Sequence, residues 1–482
     1  MLRYNCATEL KLIFTVLLLF GSVATLLPFL PTRFSPFPTT NVTSCLTTSI
    51  SPSTTTTTTP PPLPQQLSDQ VLNNGVIKRS FYPIGTAAYN FVFMSAYRGS
   101  PNTFSVIGLS SKPLHDYGHP TYTCEYQSNN SNKNNGSHFV VVPGYKIPIQ
   151  DFGYARMYII VVVNCTFPTE TDSITGGRLL LHASTDGGDS TDTIIALTEP
   201  PNSWHPSQFN STPKYDYLYC GSSLFGNLSP QRIREWIAYH VRLFGKKSHF
   251  VFHDAGGIHP EVFEVLNPWI ELGFVTVHDI MDQEQFDTFY HNQILVLNDC
   301  LHRHRFVTKW MFFFDVDEYI YLPGDSNSNL NSSLDSIMEL LNDYTLFNFE
   351  QVTMSDRLCL AEDAGTFQEK WGFEKLVYKN MKEMRRDQKY AIQPRYVYAT
   401  GVHRSENFDG KSTWLSGEMM KYFHYHGTVA ERREPCRQLL QGNSTTIENT
   451  PFVLDTTMRS MAPLIKKFEL ETIGSRLQST ML

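Results

Sequence analysis

The 482-residue chain carries no surplus of positive charge: 39 lysines and arginines stand against 46 aspartates and glutamates, a formal net charge of −7. That thin acidity excludes a nucleic-acid binder held by bulk charge. There is no Cys-x-x-Cys pair, so a thiolate zinc site lacks its usual ligand spacing. No small-x-small cleavage site follows the one long apolar run, because Pro28 to Pro31 occupy that place. From Arg33 to Lys78 there is no basic residue between, and from about 80 to 200 no long helical period. What is present is apolar: 41% hydrophobic and 13% aromatic residues supply a large core, which excludes wholesale disorder. At about 100 to 200 residues per domain, the length predicts two or three domains.

The apolar run, Leu12 to Leu30, has 19 residues without a charge and spans roughly 28 Å as a helix. Arg3 and Lys11 precede it and basic residues are sparse after it, so the positive-inside rule predicts a single-pass type II signal anchor. The expected layout is a cytosolic tail (1–11), a transmembrane helix (12–30) and a luminal remainder. Sequons at Asn41, Asn129, Asn135, Asn164, Asn210, Asn227, Asn331 and Asn443 agree with a secretory location. Cys124, Cys165, Cys220, Cys300, Cys359 and Cys436 allow up to three disulfides, in pairings the sequence leaves open. Residues 31–79, with Thr54 to Thr59 followed by Pro60, Pro61 and Pro62, read as an extended luminal stem.

Residues 80–205 show short β-type runs (Phe91–Phe93, Phe104–Ile107, His138–Val142, Tyr158–Val163), which predict a small all-β, sandwich-like module. Tyr89, Tyr97, Tyr145 and Tyr154 are its candidate sugar-stacking aromatics, making it a candidate carbohydrate-binding module. From 206 to 475 the rhythm becomes strand, helix, strand. Ser229-Pro230 opens an amphipathic helix that ends before Gly245; His249–His253 and Phe274–Val277 read as strands, Glu261–Leu272 and Glu284 to about His304 as helices. This alternation predicts an α/β domain, a mostly parallel sheet with flanking helices, whose ligands bind beyond the carboxyl ends of its strands.

At one such end stands the sequence's single Asp-x-Asp, Asp315-Val-Asp317. In an extended segment residues i and i+2 share a face, so both carboxylates are expected to converge on a divalent cation, Mn²⁺ or Mg²⁺, that also holds a diphosphate.

The segments Cys220-Gly-Ser-Ser-Leu-Phe-Gly-Asn, Trp236-Ile-Ala-Tyr-His240, Phe314-Asp-Val-Asp-Glu-Tyr-Ile-Tyr, Trp371-Gly-Phe-Glu-Lys375, Gly401-Val-His403 and His424-Tyr-His426 resemble glycosyltransferase family 92. Within it, the region from about 80 to 470 is similar to the plant β-1,4-galactan synthases. The resemblance implies a GT-A type nucleotide-sugar transferase domain behind a carbohydrate-binding module, UDP-galactose as donor, Mn²⁺ dependence and inversion at the anomeric carbon. It implies a pectic acceptor, the galactan side chains of rhamnogalacturonan I, and a Golgi membrane location; homodimerisation stays open. Inversion needs a general base. Glu374 is the first choice, in Trp-Gly-Phe-Glu, which is similar to the Trp-Gly-Gly-Glu-Asp of animal β-1,4-galactosyltransferases; Lys375 stands where those enzymes carry an Asp. Asp363, Glu362 and Glu406 are its rivals. Trp371 is a candidate sugar platform, and Lys375, Arg385 and Arg386 are further substrate-binding candidates, with Lys389 beside them as part of a cationic cluster for diphosphate or an acidic acceptor. For the third metal ligand His403 ranks first and His426 second, with His424 paired to His426. A glycoside hydrolase, with carboxylates set apart across the sugar, and a non-catalytic Golgi lectin are the competing readings.

Overall fold

The computed structural model describes residues 69–85, 89–112, 120–129, 139–149, 157–184, 191–286, 290–323, 330–382, 388–405, 407–429 and 436–477. The predicted anchor, nearly all of the stem, Tyr154, Arg385, Arg386 and Glu406 lie outside them. Among the described residues no helix is long and apolar enough to cross a membrane.

Two short strands come first, β1 (Gln70–Val71) and β2 (Ile77–Lys78), followed by β3 (Tyr82–Ile84), β4 (Phe91–Ser100), β5 (Thr103–Ser111), β6 (Thr121–Ser128), β7 (Phe139–Ile149), β8 (Tyr158–Thr166), β9 (Gly177–Ser184) and β10 (Thr191–Glu199). Strands β3 to β10 form one antiparallel sheet in the order β10-β9-β6-β7-β8-β5-β4-β3. It curls until Arg98 of β4 pairs with Glu199 of β10, enclosing Phe91, Phe104, Val161, Val163 and Leu181. The Cys124–Cys165 disulfide ties β6 to β8. The apolar run of β8 is continuous because both of its faces are covered: Val161 and Val163 point into this core, while Ile160 and Val162 point out of it into a second one.

The second sheet uses β11 (Tyr215–Leu224), β12 (Ser248–Asp254), β13 (Val275–Asp279), β14 (Thr308–Phe313), β15 (Glu318–Tyr321), β16 (Leu346–Thr353), β17 (Gln388–Ile392), β18 (Ser412–Trp414) and β19 (Lys421–His424). Its order is β1-β2-β13-β12-β11-β14-β17-β16-β19-β15, with β18 also beside β16. The left half, β2 to β14, is parallel. The right half is mixed, since β17 runs against both β14 and β16, and β15 against β19. The sheet is therefore mixed, where the alternation pattern points to a mostly parallel one: β17 enters antiparallel between β14 and β16, and β15 closes the far edge antiparallel to β19.

The stem reading of 31–79 fails at its end. Residues 70–78 form β1 and β2, and β2 joins the sheet edge beside β13, anchored by buried Val76 and Arg79.

Helices α1 (Pro230–Phe244), α2 (Pro260–Glu271), α3 (Gln293–His304), α4 (Leu330–Leu340), α5 (Gly372–Lys375) and α6 (Thr457–Ile473) flank this sheet. Ser229 caps α1, accepting from the Arg232 amide, and Pro230 opens it, as the sequence predicts. The helix expected over 284–304 starts only at Gln293, because Tyr290, His291 and Asn292 all take left-handed backbone, φ 52°, 54° and 58°. A disulfide, Cys220–Cys300, fixes α3 to β11, and Cys359–Cys436 closes the third pairing.

The β3–β10 sheet and the mixed sheet belong to one compact unit, Pro61–Leu482. Ile294, Leu295 and Val296 of α3 share a core with Val92, Ile107, Leu109 and Val162 of the antiparallel sheet. At the same seam Arg79 donates to both oxygens of buried Asp299, at 2.5 and 2.8 Å, and Ser95 and Tyr97 each donate to it at 2.7 Å.

Candidate active site

Beyond Phe313 the chain does not stay extended. The Glu318 amide donates 3.1 Å to the Asp315 carbonyl, closing a turn, and the Glu318 carboxylate accepts from the Asp315 amide at 2.7 Å. Trp236 of α1 donates to the carbonyls of Glu318 and Asp315 at 2.8 and 3.2 Å and holds the turn from beneath. A turn does not keep i and i+2 on one face, so Asp315 and Asp317 acquire different partners.

Asp317 meets the end of β19. Its Oδ1 lies 3.6 Å from His424 Nε2, and its Oδ2 accepts from the Gly427 amide at 3.2 Å. Strand pairing sets Glu318 opposite His424, and the alternation in His424-Tyr-His426 brings both rings to one side, their centroids 5.1 Å apart. Asp317, His424 and His426 thereby gather ligand atoms that all lie within 4.8 Å of one another. One carboxylate and two imidazoles fit a divalent transition metal such as Mn²⁺ better than Mg²⁺, which favours oxygen ligands alone. Burial by itself would lower His424, but Asp317 and Glu318 raise it to about 9.

Asp315 faces the other way. Its Oδ2 accepts from Lys389 Nζ and its Oδ1 from Ser222 Oγ, both at 2.7 Å, and Gln293 at the start of α3 donates to Ser222. Burial would raise this carboxyl, yet Lys389 and Ser222 draw it down to about 2. Glu318 is pushed up to about 7 by burial, against the pull of Lys389. Lys389, expected in a cationic cluster for diphosphate, is therefore buried and committed to Asp315 and Glu318.

The other expected residues lie elsewhere. His403 is outside the Asp317 group, with Nδ1 3.2 Å from the Gln388 carbonyl, so the first-ranked third ligand gives way to His424 with His426. Trp371 is 6% exposed, with Lys466 and Arg234 near its ring at 5.5 and 6.0 Å, which places it in the core rather than as an open sugar platform. Glu374 accepts from the Trp371 amide at 2.7 Å and pairs with Lys466 at 2.5 Å, both through Oε2. Lys375 is half-buried on α5. Asp363 is taken by Lys370 and Arg459, and Glu362 beside it is exposed. Of the module's aromatics, Tyr97 is bound to Asp299, Tyr89 packs on Tyr158 and Phe286, and Tyr145 is exposed. Sequence reasoning gave no role to Ser222, Gln293 or Glu318, although Ser222 and Glu318 stand within the quoted segments beginning at Cys220 and Phe314.

Residues 215–472 match the sequence profile of glycosyltransferase family 92. The chain belongs to this family. It is 53% identical to the Arabidopsis thaliana galactan beta-1,4-galactosyltransferase GALS3, over 99% of this chain and 95% of that one. Identity to GALS2 of the same plant, named likewise, is 52% over 99% and 96%. A third, GALS1, is 46% identical over 83% of this chain and 79% of its own length.

Proposed function

We propose that this family 92 chain is a UDP-galactose-dependent β-1,4-galactosyltransferase that extends the galactan side chains of pectic rhamnogalacturonan I. The observation that carries the reading is the Asp317–His424–His426 group on the Asp-Val-Asp turn, in a chain about half identical over nearly its full length to proteins named for galactan galactosyl transfer. A GT-A type domain would place the nucleotide sugar at this carboxyl edge of the sheet, with Asp317, His424 and His426 holding Mn²⁺. Bound there, the cation would offset charge developing on the departing diphosphate.

Inversion calls for the acceptor hydroxyl to attack C1 from the side opposite the diphosphate while a base takes its proton. Glu374 is the proposed base: among the described residues Trp371 and Lys466 both contact it through Oε2, and Oε1 is the oxygen proposed to take the proton. Lys375, Arg385 and Arg386 are proposed contacts for diphosphate or an acidic pectic backbone. On β7, Phe139, Val141 and Tyr145 are 54%, 50% and 71% exposed, with Val140 exposed between the first two, an apolar patch suited to a glycan, so the β3–β10 unit is proposed as the carbohydrate-binding module. The predicted anchor at 12–30 would hold the enzyme in the Golgi membrane, and three disulfides are what an oxidising lumen sustains.

The test is transfer by the luminal region from a panel of UDP-sugars to a galacto-oligosaccharide. Activity with UDP-galactose should vanish with EDTA and return with Mn²⁺. Undiminished turnover in EDTA, or preference for UDP-arabinopyranose or UDP-glucose, would overturn the metal or the donor respectively.

A further inference from the structure

We infer that Lys389 is a positioning residue that holds Asp315 off the metal, so that the Asp317–His424–His426 face keeps coordination positions open for the donor diphosphate. The inference rests on the reading of that face as the cation site. Lys389 is 1% exposed at the start of β17, where burying an ammonium is costly unless it is paired. Its partners are two carboxylates of the acidic turn: Asp315 at 2.7 Å and Glu318 at 3.4 Å. The second oxygen of Asp315 is occupied as well, by Ser222, which Gln293 positions.

Asp315 is nonetheless about one-third exposed and only two residues from Asp317. A carboxylate so placed, if released, would be drawn to a nearby dication and would add an oxygen ligand. Mn²⁺ takes about six ligands, and three protein donors leave about three positions for diphosphate oxygens and water. A fourth protein ligand would strengthen metal binding in the absence of nucleotide and take a position the nucleotide needs.

This gives Lys389 a signature that a purely structural lysine lacks. Free Mn²⁺ can be counted by electron paramagnetic resonance with the wild type, Lys389→Met, Lys389→Arg and Ser222→Ala, each without nucleotide and with UDP, alongside thermal melting. In Lys389→Met, nucleotide-free Mn²⁺ affinity should rise by about tenfold, the lower end of what outer-shell changes do to metal sites. The further tightening that UDP gives the wild type should be lost. Lys389→Arg should restore both behaviours, and Ser222→Ala should move both in the direction of Lys389→Met by a smaller factor. Should Lys389→Met fail to fold, Ser222→Ala decides. A folded Lys389→Met that weakens Mn²⁺ equally with and without UDP, or changes neither, overturns the inference. A wild type that binds no Mn²⁺ in either condition overturns the cation reading beneath it.

Discussion

At the scale of single residues, the Asp-Val-Asp word was legible but its geometry was not. Spacing treats Asp315 and Asp317 as neighbours on an extended segment, whereas Glu318 folds that segment into a turn through its amide and its carboxylate. What the alternation in His424-Tyr-His426 offered was sound, since both rings do reach one side; His403 was favoured on spacing from Glu374, which carries no information about contact. Asp317→Asn removes the charged ligand at constant volume, so transfer should fall at least about a hundredfold in a chain that still folds. Near-normal rates at saturating Mn²⁺ would refute the ligand role. Because His424 is held protonated up to about 9 and a metal needs its neutral ring, Mn²⁺ uptake should release a proton. Calorimetry in two buffers of different ionisation enthalpy would measure that release between pH 6.5 and 8. Glu374→Gln tests the base: turnover should drop by about 10² to 10⁴ with UDP binding retained. Joint loss of stability and UDP binding would mark Glu374 as a strut between α5 and Lys466 of α6 instead.

Among the elements, α1 was readable to the residue because its cap and its first-turn proline are local chemistry. The start of α3 was not, for apolar spacing upstream of Gln293 carries no sign of the left-handed Tyr290–Asn292 turn. Nor was the seam between the sheets, where Arg79 and Asp299 meet 220 positions apart. Both are fully buried, so Arg79→Met removes the bidentate partner of Asp299 and leaves it the longer Arg303 contact, at 3.6 Å, beside Ser95 and Tyr97. We expect a loss of about 3 to 5 kcal/mol in denaturant unfolding. An unchanged midpoint would mean that water reaches Asp299 in the variant.

For the whole molecule, buried histidines set the acid limit. Burial holds His240 and His302 neutral down to about 3 and His253 down to about 4, each from an ordinary 6.5. The unfolded chain takes up these protons near 6.5 while the folded one refuses them, so stability present above 6.5 is lost as pH falls toward 4. His424 acts oppositely. Its raised value contributes stability that is full below 6.5 and disappears as pH rises through about 9. The metal-free melting temperature should therefore climb from pH 4 to 6.5 and decline from there toward pH 9.

Strand β2, laid between β1 and β13, changes what kind of object the antiparallel sheet is. The chain contributes to the catalytic sheet before entering β3–β10 and again after leaving them, at β11. The smaller sheet is thus nested inside the larger fold in sequence, a guest with both ends in its host, and not a bead threaded ahead of it. Any shortening of the chain from its amino end that removes the guest also strips a strand from the host, so a nested series of such deletions reports on the host's integrity at every step past residue 70. Only an internal excision that rejoins the two flanks can ask what the guest does by itself.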